Sequence, residues 1–172
     1  SLLLAKMQKD ASGEYLGSNA KVFSILAVEE PEAHLHPNMQ YKFLKFLKQN
    51  QESQVRQVFI TSHSPNITAA ASLDDLIILY KDKGEINISY PGKVFTDSKE
   101  DSISKNYVQR FLDVTKSDMF FAKNIILVEG ISEQLLIPEF AKISGYDFVD
   151  SHTSVINIGG RYFEHFLKLF DT

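Results

Sequence analysis

The sequence predicts an α/β fold made of two successive parallel-sheet segments, and three observations predict it. Short apolar runs at 22–28, 58–60, 125–128 and 152–158 alternate with stretches of helical periodicity, the pattern of strands joined by crossover helices. Several runs end on a charged or titratable residue: Glu29 with Glu30, His63, and Glu129. The C-terminal tips of strands are where open α/β sheets bind their ligands. With 172 residues, 44% of them hydrophobic and 12% aromatic, the chain has material for a core and room for one domain or two small ones.

Composition excludes several classes. A net charge of −4 and a pI near 5.7 give no chain-wide basic footprint for nucleic acid, although a local basic groove remains compatible with them. Cysteine is absent, so there is no disulfide or thiolate metal site, which fits a reducing, cytoplasmic setting. No apolar run reaches transmembrane length and no signal peptide opens the chain, so no membrane partner is expected.

In chain order, SLLLAKMQKD reads as the middle of a helix with Leu3, Leu4 and Met7 on one face. KDASGEYLGSNAK (9–21) reads as a loop. Residues 22–28 then form a strand buried on both faces, running into Glu29 and Glu30. At such a tip an acid can order Mg²⁺ on a nucleotide and its neighbour can polarise a water. The plain alternative is a solvated acidic pair ending a strand. Pro37 suits a helix N-terminus, and Met39, Phe43, Phe46 and Leu47 recur at helical spacing behind it. Lys42, Lys45 and Lys48 lie on the opposite, solvated face. Val58 to Ile60 make the next strand, and His63 follows its tip either as a structural residue or as a ligand sensor. His34 and His36 form an HxH that could ligate a metal, though loop packing accounts for it as well.

Residues 76–80 and 85–90 read as two strands around an Asp-Lys-Gly turn. Pro91 to Asn106 is polar and rich in Ser, Asp and Lys, and reads as a linker, with a short helix near Tyr107, Phe111 and Leu112 leading out of it. A strand at 125–128, Glu129-Gly130, a helix from Ile131 to Ile143, a strand at 152–158 and a Gly159-Gly160 turn complete the chain. Glu129 and Glu133 are placed so that both carboxylates can face one cation, and hard Mg²⁺ prefers such oxygens. The alternative is an ordinary βα unit whose early helical Glu offsets the macrodipole.

EEPEAHLHP (29–37) resembles the Walker-B and D-loop block of ABC-type ATPases, in the form typical of the OLD (overcoming lysogenisation defect) nucleases. FFAKNIILVEGISE (120–133) resembles the opening of a Toprim domain, again in its OLD version. The resemblance spans nearly the whole chain. It implies the rear half of an ABC-type ATPase sheet over 1–106, and a linker helix with the first βαβα part of a Rossmann-like Toprim domain over 107–172.

By that resemblance Glu29 holds Mg²⁺ on ATP, Glu30 is the catalytic glutamate and His63 senses the γ-phosphate. Glu129 and Glu133 are metal ligands and catalytic residues for Mg²⁺- or Mn²⁺-dependent cleavage of DNA. It further implies a homodimer through the ATPase heads and a bacterial, phage-defence setting. The chain departs from the family pattern in three respects: it contains no GxxxxGK[ST] phosphate loop, no ABC signature segment and no DxD after VINIGG. It therefore reads as an excised fragment, inactive by itself. A competing reading is an ATP-switched DNA-binding or repair clamp whose Toprim-like part is structural.

Overall fold

The structure is a computed structural model that describes residues 24–53, 56–160 and 162–170. The helix and loop expected over 1–21 lie outside the described residues. The architecture is mixed α/β, as expected, with two small parallel sheets and one antiparallel pair among the described residues. By its internal contacts the chain divides into Ser1–Ser62 and His63–Thr172.

In the first unit, strands β1 (Ser24–Glu29) and β2 (Arg56–Thr61) pair in parallel, from Ser24 opposite Arg56 to Glu29 opposite Thr61. Their crossover runs through a 3-10 turn (Pro31–His34) and helix α1 (Pro37–Ser53). The helix buries Gln40, Leu44 and Leu47, while Lys42, Lys45 and Lys48 face outward. Gln40 Nε2 donates to the Leu35 carbonyl at 3.0 Å and anchors the first turn. Burial of β1 on both faces is not what the unit has. Leu26, Val28, Val58 and Ile60 are partly covered, but Ile25 and Phe59 are 61% and 51% exposed. Among the described residues of this unit the two strands have one crossover helix to cover them, and one layer protects one face.

In the second unit, Ser64 caps helix α2 (Pro65–Ala70), its hydroxyl accepting from the Asn66 and Ile67 N–H groups. Strands β3 (Ile78–Asp82) and β4 (Glu85–Ser89) form an antiparallel hairpin around Lys83 and Gly84. Both turn residues have positive φ, 48° and 91°, as a tight two-residue hairpin requires. β3 starts two residues later than its apolar run because a 3-10 turn at Leu73–Asp75 precedes it and Leu76 packs against the core. Among the described residues the hairpin pairs only with itself, rather than closing a larger sheet.

The polar stretch 91–106 is not a linker. Pro91–Val94 is a 3-10 turn and Lys99–Phe111 is helix α3, begun by Ser98 accepting from the Asp101 N–H at 3.0 Å. Its charged face hid a buried one carried by Ser104 and Val108. A short helix α4 (Val114–Ser117) leads to β5 (Asn124–Val128), α5 (Ile131–Ile143) and β6 (Thr153–Asn157), a parallel βαβ unit. Helix α6 (Phe163–Leu167) follows. Leu73, Phe95, Val108, Met119, Ile156 and Phe166 share one core, so α3 and the hairpin's flanks pack with the βαβ unit.

Candidate functional site

The acids at the end of β1 are set by backbone geometry. Glu29 closes the strand opposite Thr61. Glu30 has φ 39° and ψ 58°, the left-handed region that non-glycine residues enter at a cost of about 1–3 kcal/mol. Its N–H donates to the Thr61 carbonyl at 3.0 Å, which holds it in that conformation. The chain thus leaves β1 sharply, with both carboxylates exposed at the strand tip. Pro31 starts the 3-10 turn at once, and Ser62 Oγ donates to Glu32 Oε1 at 2.9 Å, tying that turn to the end of β2. Sequence reasoning passed over Thr61 and Ser62; a hydroxyl pair at the tip of the partner strand was the available signal.

His34 and His36 are exposed in the same loop. The Asn38 N–H lies 3.4 Å from His36 Nδ1, a local loop contact. Among the described residues no group of three or more His, Asp or Glu is gathered that could hold a metal ion. His63 opens the second unit as an exposed residue immediately before the Ser64 cap of α2.

The second acidic pair lies at the C-terminal edge of the β5–β6 sheet. Glu129 follows the buried Val128 and is exposed. Gly130 is the N-terminal cap of α5 without a side-chain cap, and Glu133 lies in the first turn. A Cβ placed on Gly130 would stand 3.1 Å from Glu133 Oε2. The Glu133 carboxylate is therefore turned back over the strand exit, close beside Gly130. Two carboxylates, one at a strand tip and one folded back toward it, are a hard-oxygen set that suits Mg²⁺ or Mn²⁺. As a pair they supply part of a coordination shell.

No helix among the described residues is long and apolar enough to cross a membrane.

Residues 1–68 match the family described as an AAA ATPase domain, and residues 120–172 match the TOPRIM domain of overcoming lysogenization defect protein-like proteins. The chain is 26% identical over 145 residues to endonuclease GajA of Bacillus cereus, covering 83% of this chain and 23% of the relative. It is 25% identical over 140 residues to the OLD nuclease of Thermus scotoductus, covering 78% of this chain and 26% of the relative. The Old nuclease of Escherichia phage P2 is 28% identical over 162 residues, covering 92% and 26%. The chain thus spans about a quarter of the length of the curated relatives it matches. The OLD resemblance carried by the two sequence blocks is borne out, with an ATPase segment followed by a TOPRIM segment.

Proposed function

We propose, from an ATPase segment and a TOPRIM segment carried in that order, that this chain is part of an OLD-type ATP-dependent DNA endonuclease. The observation that carries the reading is the pairing of two strand-tip acid pairs, Glu29–Glu30 and Glu129–Glu133, one in each matched segment. In this proposal residues 1–106 are the rear of an ABC-type ATPase head, and 107–172 a linker helix with the front of a Toprim domain. Two heads meet in a homodimer around ATP, in the cytoplasm, and phage defence is the setting.

Each residue has a chemical task. Glu29 binds the nucleotide's Mg²⁺ through its exposed carboxylate. Glu30, held in its strained conformation by the Thr61 carbonyl, orients and polarises the attacking water. His63 contacts the γ-phosphate and distinguishes ATP from ADP. Glu129 and Glu133 would hold Mg²⁺ or Mn²⁺ for DNA cleavage, as two ligands of a larger set. When bound, such a cation would supply charge stabilisation to the phosphodiester transition state. Gly130 leaves space beside the Glu133 carboxylate at the strand exit.

The ATPase half is tested by Glu30→Gln in the full-length protein. The amide preserves shape but cannot polarise water as a carboxylate does, so ATP turnover should fall at least about 100-fold. ATP affinity should stay within a few-fold of wild type, measured by equilibrium binding. Turnover at the parental rate would remove Glu30 from the mechanism.

A further inference from the structure

The geometry points to Tyr162 as a stacking surface for an unpaired DNA base beside the Glu129–Glu133 pair. The inference rests on the endonuclease reading and adds to it the part of the substrate that this edge would grip.

The edge is built by two parallel strands that end together. Val128 lies opposite Asn157, and the Ile158 N–H donates to the Val128 carbonyl at 3.0 Å. Glu129-Gly130 and Gly159-Gly160 therefore leave the sheet side by side. Both later glycines have positive φ, 72° and 138°, and the Gly159 N–H donates to Asn157 Oδ1 at 2.8 Å, turning the chain sharply toward α6. The Tyr162 ring lies over this turn: a Cβ on Gly160 would stand 3.7 Å from Tyr162 Cδ2.

The ring has a rigid backing. Its centroid is 5.1 Å from Tyr107 and 6.0 Å from His165, the latter nearly parallel at 9°. His165 is fixed in turn, with Nδ1 3.0 Å from the hydroxyl of the buried Ser104. Tyr107 also meets Phe111 at 4.6 Å, and Phe111 is 42% exposed. Tyr162 itself remains 51% exposed. A ring packed on one side and open on the other, with two side-chain torsions to immobilise, is the arrangement that stacks on a base at small entropic cost. The occupant is an unpaired base because a paired base in duplex hides both faces in its stack. It is a base of DNA because the neighbouring acids, in the proposed reaction, hold a phosphodiester.

The test uses the full-length protein and a single-stranded oligonucleotide carrying 2-aminopurine, whose fluorescence is quenched when it stacks on an aromatic ring. Wild type should bind and quench. Tyr162→Ala should lose the quench and bind about 5- to 100-fold more weakly. Tyr162→Phe, which keeps the ring, should retain both. Thermal melting of all three should agree within a few degrees, separating stacking from folding. Unchanged quench and affinity in Tyr162→Ala would overturn the inference, leaving the cluster as helix packing. A raised KM for ATP with DNA binding intact would also overturn it, making adenine the base recognised. Absence of any DNA binding by wild type would instead strike the endonuclease reading, and the inference with it.

Discussion

Glu30 pays for its position with backbone strain, and that strain is legible only in the structure. A non-glycine residue at φ 39° persists because the Thr61 carbonyl grips its N–H and Pro31 forces the turn that follows. The adjacent acids could be picked out of the sequence, since an apolar run ending in EEP is local information. The hydroxyls of Thr61 and Ser62 come from the partner strand, and nothing in the linear text pairs them with β1. Gly92 shows the same limit. It sits in a polar stretch and gives no sequence signal, yet it is buried where the turn 91–94 crosses the turn 73–75. A Cβ there would lie 2.6 to 2.7 Å from Asp74 Oδ1, Asp74 Cα and the Leu73 carbonyl. Two of those atoms are backbone and cannot swing away. Gly92→Ala should therefore destabilise the second unit by about 1–3 kcal/mol, as overpacking does. Chemical denaturation would measure it, and an unchanged midpoint would mean that the two turns can separate freely.

At the scale of elements, α3 carries the largest departure from sequence expectation. Its residues are polar enough to read as a linker, but its outward charges make specific ties. Lys168 donates to Asp101 at 2.6 Å, Gln109 Oε1 accepts from the Leu73 N–H at 2.7 Å, and Lys105 pairs with Asp74. Lys168, then Thr96, hold the Asp101 carboxyl far below the ordinary 3.8, and Asp101 raises Lys168 above 10.5. The signs fix a pH window. A depressed carboxyl contributes stability above about pH 4 that is lost as pH falls below it toward the lowered folded value; a raised ammonium contributes stability that is full below about 10.5 and lost as pH rises above it through the raised folded value. Lys168→Met should lower the melting temperature at pH 7, and the gap to wild type should close below pH 4. A gap that persists undiminished at pH 2 would show that Lys168 acts through packing alone. By contrast α5 was readable to the residue, Ile131 to Ile143, because Gly130 and Gly145 bracket a helical run that continues through Pro138. β1 was readable as a strand but not as half-exposed, because exposure depends on how many layers a unit supplies.

At the scale of the whole molecule, the chain matches two families in succession. The division by contacts falls after Ser62, whereas the family matches end at 68 and resume at 120. Residues between the matches, notably Leu73, Phe95 and Val108, share a core with Ile156 and Phe166 of the TOPRIM segment. The intervening stretch is thus packed structure. The family resemblance was legible because each acid pair sits inside a contiguous block of text, EEPEAHLHP or IILVEGISE. The core of the second unit was not, since it is assembled from residues far apart in sequence, Leu73 to Leu169.

In the proposed function Glu129 serves DNA cleavage and Glu30 serves ATP hydrolysis, in separate segments. The most direct test is Mg²⁺- or Mn²⁺-dependent plasmid nicking by the full-length wild type and its Glu129→Ala variant, with ATP turnover measured on the same samples. Removing a hard-oxygen ligand from the cleavage site should abolish nicking while ATP turnover stays within about two-fold. Undiminished nicking by Glu129→Ala would contradict the endonuclease assignment and favour an ATP-switched DNA clamp with a structural TOPRIM segment.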